Sequence, residues 1–383
     1  MQRLTIGSRF DRWAGGLSSP IEGRVVLGPN WFASVMGTGI IAVASATLPV
    51  DWPLLDVIGT VAWLLAALLL VVLAVVVPVH WLRHPEVPRA IVNDPVAIQF
   101  FGAPPMALMT VGSATLLVGS HYLGEAAVGI DAVLWGLGTT VGFLTAVLVP
   151  FRLFTQLQVR ADGAFGGWLM PVVPPMVSAA TGALLVPHVA AGTSQESLLY
   201  LCYAFFGMSL LASLVVITLI WSRLAHFGSS GSARVPTLWI VLGPVGQSIT
   251  AAGALGTAAA LALGPPVGPA LDAMAVVFGV PMWGFMLLWL PIAALLTVRA
   301  RRQSMGFALT WWSFTFPVGT CVTGTSQLAH HTDLPMFQWS AVALYVFLLG
   351  AWVLVLVSTA RGSLRGVLLT PPLESPQAVA AKG

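Results

Sequence analysis

The chain has 383 residues, of which 57% are hydrophobic and only 8% charged, and its formal net charge is +3. Soluble domains carry about 25% charged residues, so this composition excludes a soluble enzyme or binding module and predicts an integral membrane protein. No nucleic-acid partner is predicted.

Ten apolar segments follow one another along the chain, and a membrane helix needs about 20 such residues. The predicted spans are 28–48, 55–80, 98–120, 129–154, 168–188, 197–224, 237–262, 271–299, 308–329 and 338–360. Residues 28–360 are therefore predicted to form a ten-helix, all-α transmembrane domain. Residues 1–27 contain arginines and no apolar core, which predicts a cytoplasmic segment rather than a signal peptide. Residues 361–383 are predicted to be a cytoplasmic, disordered tail.

The basic residues predict the orientation of these spans. All 16 Lys and Arg lie before span 1 or at or beyond the C-terminal end of an even span, and the opposite loops contain none. The positive-inside rule then places both termini in the cytoplasm, with a multi-pass protein in the plasma membrane. Asp56, Asp131 and Asp272 each begin an even span on the opposite side, where we expect them to act as helix N-caps.

The odd spans share an interruption by proline. These prolines, which mark the predicted helix breaks, are Pro105, Pro175, Pro244 and Pro317. They are separated by 70, 69 and 73 residues. A step of 69 residues back from Pro105 reaches Met36 in span 1. This periodicity predicts five copies of a helical hairpin. The odd spans are rich in Gly, Ser, Thr and Pro, so we expect them to form an inner quasi-five-fold ring around a central pore, with the Val- and Leu-rich even spans outside.

One helix face of each odd span is predicted to line the pore. The positions are the residue before the aligned proline and those four and seven residues further on. The predicted lining residues are Val35, Gly39, Pro104, Pro174, Ser178, Thr181, Gly243, Gln247, Thr250, Thr320 and Thr323. Phe316 is the only large ring at the level of the break, so it is predicted to gate the pore, and Phe314 faces elsewhere by helical phase.

Few residues of the spans are of the types that form disulfides, bind metals or transfer protons. Cys202 and Cys321 lie in apolar segments and are interpreted as free, buried thiols. His330 and His331 are interpreted as a polar turn rather than metal ligands, and no metal or cofactor is predicted. No Lys, Arg, Asp or Glu lies in the middle of a span, which argues against a carboxylate-driven pump.

The segments PNWFASVMGTGI at 29–40 and WWSFTFPVGT at 311–320 carry a family resemblance. Together with ten spans and broken odd helices, they resemble the tellurite-resistance/C4-dicarboxylate transporter family. That family includes slow-type anion channels, malate permeases and sulfite exporters. The resemblance implies five hairpins around a pore, a homotrimer and a gating phenylalanine on the ninth span, which corresponds to Phe316.

The leading functional prediction is a transporter or channel for small anions in the plasma membrane. C4-dicarboxylates such as malate or succinate are the first expectation for its substrate. Sulfite or an inorganic anion such as chloride or nitrate is the alternative. A membrane sensor without transport and an intramembrane enzyme are remote alternatives; the latter would need a clustered His, Asp or Glu set, which no span carries.

Overall fold

The computed structural model describes residues 26–229, 234–303, 305–366 and 368. Most of the predicted N-terminal segment 1–27 and of the predicted tail 361–383 therefore lies outside the described residues. The described part of the chain is helical throughout and contains no β-strand.

A helix lies in each of the ten predicted segments, and we number these ten in chain order. The odd-numbered helices are α1 (Phe32–Thr47), α3 (Ala103–Ala114), α5 (Pro174–Leu185), α7 (Leu242–Ala262) and α9 (Phe316–Thr332). The even-numbered helices are α2 (Pro53–Arg83), α4 (Ala126–Thr155), α6 (Thr193–Phe227), α8 (Val267–Arg302) and α10 (Pro335–Leu364). A separate short helix, Glu86–Asn93, follows α2.

Seven helices among the described residues are long and apolar enough to cross a membrane. They are the five even-numbered helices and two units that contain α3 and α7 with their flanking turns, Ala97–Leu123 and Val235–Ala262. By contrast α1, α5 and α9 have 16, 12 and 17 residues, fewer than the about 20 that cover a hydrocarbon core. They are short because 3₁₀ turns or irregular backbone occupy the first part of each predicted segment.

The prolines that interrupt the odd segments lie at helix starts. Pro105 and Pro244 are the third residues of α3 and α7, and Pro175 and Pro317 are the second residues of α5 and α9. Proline suits the first turn because its missing N–H would have no intrahelical partner there. Helix α1 continues without a break through Met36, so the counterpart expected there is wrong, and its 3₁₀ turn at Pro29–Trp31 comes earlier.

Packing distinguishes the two sets of helices. Helix α1 contacts α3, α3 contacts α5, α5 contacts α7, α7 contacts α9, and α9 contacts α1. Each even helix packs against the odd helix before it. The most apolar windows of the units containing α3 and α7 are 78% and 83% buried, whereas those of the even helices are only 22–33% buried. Large apolar side chains are thus exposed mainly on the even helices, where lipid would cover them.

Helices α7 and α9 come closest at glycines. A Cβ on Gly246 would lie 2.5 Å from the backbone carbon of Thr320 and the backbone nitrogen of Cys321. A Cβ on Gly324 would lie 2.7 Å from the carbonyl oxygen of Gly246. The two backbones are therefore almost in contact, and the polar side chains beside these glycines are held at fixed positions.

Candidate functional site

A cavity lies where the five odd-numbered helices meet. It measures about 520 Å³ with its open mouth included. Its lining residues are Ile40, Val43 and Thr47 of α1; Thr110, Ser113 and the following Leu117 of the α3 unit; Val177, Ala180, Thr181 and Leu184 of α5; Gln247, Thr250 and Ala254 of α7; and Phe316, Thr323 and Gln327 of α9. No Asp, Glu, Lys, Arg or His is among them, so the wall of this cavity is uncharged.

Phe316 bounds the cavity at the N-terminal end of α9. It is the first residue of the helix, and its side chain is 4% exposed. The preceding Thr315 is fully buried, and its hydroxyl donates to the carbonyl of Trp312 at 2.7 Å. This hydrogen bond fixes the backbone turn between the 3₁₀ segment Leu309–Phe314 and α9.

Phe314 faces a different environment, in agreement with its predicted helical phase. Its ring lies edge-on to Trp239 and Trp311, with centroid separations of 5.2 and 5.6 Å. Arg301 lies 5.1 Å above the Trp311 ring. Phe314 therefore belongs to an aromatic cluster, and Phe316 alone of the two borders the cavity.

The hydroxyl groups of the cavity donate their protons to backbone carbonyls. Thr110 donates to Met106 at 2.7 Å and Thr181 donates to Val177 at 2.8 Å. Thr47 and Ser113 bond their own helices in the same way. Such side-chain bonds within a helix turn lone pairs, rather than O–H groups, toward the open space. The predicted hydroxyl contacts to a substrate are thus mainly acceptor positions.

Thr250 and Thr323 form a pair across α7 and α9. Their hydroxyl oxygens are 2.7 Å apart, so one donates to the other. Each hydroxyl also lies near a carbonyl of its own helix, at 3.1 Å from Gly246 and 3.2 Å from Thr320 respectively. The pair closes the gap between the two helices on the cavity wall.

Gln247 differs from every hydroxyl in the cavity. Its side chain is 4% exposed, and its Oε1 is buried without a hydrogen-bond partner among the described residues. The amide group therefore offers a donor and an acceptor that the fold does not use. Gln327 lies on α9 one turn beyond Thr323, and its backbone carbonyl contacts His331 Nδ1 at 2.8 Å.

Five of the predicted gate and lining residues border this cavity, namely Thr181, Gln247, Thr250, Phe316 and Thr323. Ser178 and Thr320 do not. Ser178 lies between α3, α4 and α5, where it receives a hydrogen bond from Thr139 at 3.0 Å. Thr320 is fully buried against α7, and its hydroxyl is 3.2 Å from the carbonyl of Gly243. Neither residue therefore borders this cavity.

The remaining predicted lining residues lie outside this cavity, toward the N-terminal ends of the odd helices. Val35 is fully buried and Pro174 is buried. A Cβ on Gly39 would meet Thr110 Cγ2 at 2.9 Å, which indicates a helix contact. A Cβ on Gly243 would meet only Pro317, at 4.0 Å, and Pro104 is half-buried. Within this group, Gly243 and Pro104 are therefore the residues with the most unfilled space beside them.

The helix faces predicted to line the pore did not include several residues that line this cavity. On α5 the cavity face is Val177, Ala180, Thr181 and Leu184, which shares only Thr181 with the predicted face. Thr110 and Ser113 on α3, and Gln327 on α9, were also absent from the prediction. The polar character of Thr110, Ser113 and Gln327 in an apolar segment was the available signal.

Asp131 does not act as the helix N-cap that the sequence predicted. It is the sixth residue of α4, not its N-cap, and it is fully buried inside a helix that is apolar enough to cross a membrane. Neither carboxylate oxygen has a hydrogen-bond partner among the described residues. A Cβ on Gly112 of α3 would collide with its Oδ1. Asp56 and Asp272 also make no N-cap hydrogen bond, so the capping prediction is wrong for all three.

Replacing Asp131 by alanine is expected to raise thermal stability. The substitution removes two buried oxygens without partners, and each such group costs about 1–3 kcal/mol. Thermal unfolding in detergent measures the effect, with Asp56→Ala as the control because Asp56 is exposed in the first turn of α2. A lower melting temperature for Asp131→Ala than for Asp56→Ala would mean that the buried carboxylate stabilises the protein.

His330 and His331 lie in the last turn of α9, near the cavity mouth, rather than in a loop. His331 Nε2 lies 3.2 Å from Asp272 Oδ1 and 3.4 Å from Thr257 Oγ1. His330 Nε2 lies 3.2 Å from the carbonyl of Thr47. No group of three or more His, Cys, Asp or Glu that could hold a metal occurs among the described residues.

Cys202 and Cys321 are free and buried, which confirms their interpretation as free, buried thiols.

Arginines cluster near the N-terminal ends of α5 and α7. Arg234 lies 5.5 Å above the ring of Phe165. Burial, with a smaller contribution from the charge of Arg223, lowers the pKa of Arg234 to about 10, so Arg234 stays cationic at neutral pH. The side-chain hydrogen bond from Arg160 lowers the pKa of Asp162 in the same region. Fixed positive charge is therefore present beyond the end of the odd helices at which Phe316 lies.

The family model described as voltage-dependent anion channel, SLAC1, matches residues 26–360. A sulfite efflux pump of Trichophyton rubrum is 27% identical over 337 residues, which cover 86% of this chain and 89% of the pump. An uncharacterized transporter of Methanocaldococcus jannaschii is 26% identical, with 86% and 93% covered. A malic acid transport protein of Schizosaccharomyces pombe is 21% identical, with 89% and 80% covered. The family match includes all of α1 to α9 and most of α10.

Proposed function

Since this chain belongs to the SLAC1 family of voltage-dependent anion channels, we propose that it carries a small anion across the plasma membrane along the axis of α1, α3, α5, α7 and α9. All ten helices would cross the bilayer as five hairpins, in a homotrimer. The observation that carries this proposal is the uncharged cavity bounded by the five odd-numbered helices and by Phe316.

The closed cycle of contacts among the odd helices supports a single path through the protomer. The short helices α1, α5 and α9 fit this arrangement, because irregular backbone at membrane depth is tolerated where it lines a cavity or is buried in protein. Phe316 would close the path, and the Arg223 and Arg234 region would attract anions to the cytoplasmic mouth. Both termini would then be cytoplasmic.

We propose a sulfite-sized oxyanion as the first candidate substrate and a C4-dicarboxylate as the second. The cavity wall carries no cationic side chain that could neutralise the two charges of a fully ionised dicarboxylate. The relatives named as sulfite efflux pumps share 26–27% identity with this chain, and the malic acid transport protein shares 21%. Charge and relatedness thus favour the smaller anion.

A flux panel in liposomes tests the proposal. Purified protein is reconstituted, and sulfite, nitrate, chloride, malate and succinate are compared at a set membrane potential, with protein-free liposomes as the control. We expect sulfite, nitrate or chloride to move faster than malate and succinate. Faster malate or succinate flux would reverse the order of the two substrates, and absence of all five fluxes would overturn anion transport in favour of a sensor or an enzyme.

A further inference from the structure

We propose that Gln247 is a specificity-determining residue that selects singly charged oxyanions still carrying one O–H group, of which hydrogen sulfite is the simplest. This inference rests on the proposed anion transport. The amide of Gln247 would donate an N–H to the charged oxygen of the anion and accept the O–H in return. The proton would cross with the anion, and no bond would be made or broken.

The first observation is that Gln247 has hydrogen-bonding groups the fold leaves unused. Its Oε1 is buried without a partner, and no hydrogen bond of its amide nitrogen occurs among the described residues. A buried polar group of this kind is rare in a folded protein and calls for a partner that is not part of the chain. The residue borders the cavity together with Phe316, so its side chain is the unpaired amide placed next to a solute there.

The second observation is the hydrogen-bonding character of the rest of the wall. Thr47, Thr110, Ser113 and Thr181 all donate to carbonyls of their own helices. Thr250 and Thr323 are 2.7 Å apart and bond each other. The wall therefore presents mainly acceptors, which favour a solute that brings its own O–H over a bare anion of the same charge. The glutamine amides at 247 and 327 are the donors of the cavity wall.

The third observation concerns charge. The cavity wall has no ionisable side chain, so selection there depends on hydrogen bonding rather than on ion pairing. The nearest titratable groups are two buried side chains and three groups around the mouth. The buried pair are Asp131, against Gly112 beside the lining residue Ser113, and Cys321, beside the crossing of α7 and α9. The groups at the mouth are His330 beside Thr47, and His331 with Asp272 beyond Gln327. Their protonation would change the potential for every anion alike, which separates their effect from that of Gln247.

The fixed position of Gln247 follows from its neighbours. Gly246 lies in close contact with the α9 backbone. Thr250, one turn later, forms a hydrogen bond with Thr323. The intervening stretch of α7 therefore has little freedom to rotate. An amide held in one place can distinguish an O–H from a bare oxygen, because a mismatch leaves two acceptors facing each other.

The experiment measures sulfite and nitrate flux at constant total anion while the pH is raised from about 6 to about 9. Sulfite changes from monoanion to dianion over this range, whereas nitrate keeps one charge and never carries an O–H. We expect sulfite flux to fall by about tenfold for each pH unit beyond its second dissociation, as a single titration requires. Nitrate flux should change little. Protein-free liposomes correct for sulfur dioxide that crosses the lipid.

Gln247→Leu tests the residue itself, because leucine keeps much of the volume and removes both hydrogen-bonding groups. We expect sulfite flux at the lower pH to fall by about tenfold, as the loss of one good contact pair would give, while nitrate flux is retained. Gln338→Leu is the matched control, since Gln338 bonds the carbonyl of Pro49 and lies outside the cavity. It should leave both fluxes and the pH profile unchanged.

The outcomes separate this inference from the proposed function. If sulfite flux in the unsubstituted protein follows the dianion, or follows the nitrate profile with pH, anion transport stands and selection of an O–H is wrong. If Gln247→Leu keeps the sulfite-to-nitrate ratio, Gln247 is not the selecting residue. If Gln247→Leu does not fold, Gln247→Met gives the second test. Its unbranched thioether has no donor and only a weak acceptor, so sulfite flux should fall as for leucine.

Discussion

Replacing Phe316 by alanine is expected to raise anion flux by about tenfold or more, which corresponds to a barrier lower by at least about 1.4 kcal/mol. The phenyl ring borders the cavity and is 4% exposed. An anion that passes this ring loses water and gains no hydrogen bond from it, so removal of the ring lowers the barrier at that point. Flux of the best substrate from the liposome panel measures the change.

Phe314→Ala is the matched control for this substitution. Phe314 is two residues away, is similarly buried, and packs against Trp239 and Trp311 instead of the cavity. Loss of a buried phenyl costs about 3–5 kcal/mol, so Phe314→Ala should lower the melting temperature without raising flux. Equal increases of flux in both variants would indicate general loosening of the 311–317 region. Unchanged flux in folded Phe316→Ala would remove Phe316 as the gate.

Much of this architecture could be predicted because the membrane restricts what each segment can do. The lengths of the apolar segments predicted the bounds of the even helices closely. For example, α2 was predicted as 55–80 and is observed as Pro53–Arg83. The prolines that mark the predicted breaks lie within two residues of the observed starts of α3, α5, α7 and α9. Neither signal indicated that α5 has only 12 residues. Its length depends on the irregular backbone at 170–173, where neighbouring helices provide the environment that apolarity alone does not reveal.

The site was predicted less completely because helix rotation depends on neighbours. Counting from Pro175 placed Ser178 on the cavity wall, whereas Met109 of α3 and Thr139 of α4 surround its hydroxyl instead. Thr320 likewise packs against the carbonyls at the start of α7. Asp131 shows the same limit, since only the contact with Gly112 explains why an acid near a helix start is buried. In each case a partner distant in sequence decides the direction of the side chain.

Gly246 should tolerate no side chain, because the crossing of α7 and α9 depends on it. The atoms that a Cβ would meet at 2.5 Å are backbone atoms of Thr320 and Cys321, which cannot rotate away as a side chain could. Gly246→Ala is therefore expected to separate the helices and to destabilise the protein by about 3 kcal/mol, the upper end of overpacking effects. The separation would also lengthen the 2.7 Å contact between Thr250 and Thr323 and displace Gln247. Thermal unfolding and sulfite flux should fall together.

Gly243→Ala distinguishes this steric effect from the general effect of alanine in a helix. Gly243 lies one turn earlier on α7, where a Cβ would meet only Pro317 at 4.0 Å, an ordinary contact distance. Alanine in a helix is favoured over glycine by about 0.5–1 kcal/mol, so Gly243→Ala should fold at least as well as the unsubstituted protein. If both variants lose stability, α7 is sensitive along its whole first turn rather than at the crossing. If Gly246→Ala remains stable and transports sulfite, the close approach of α7 and α9 does not determine the geometry of the cavity.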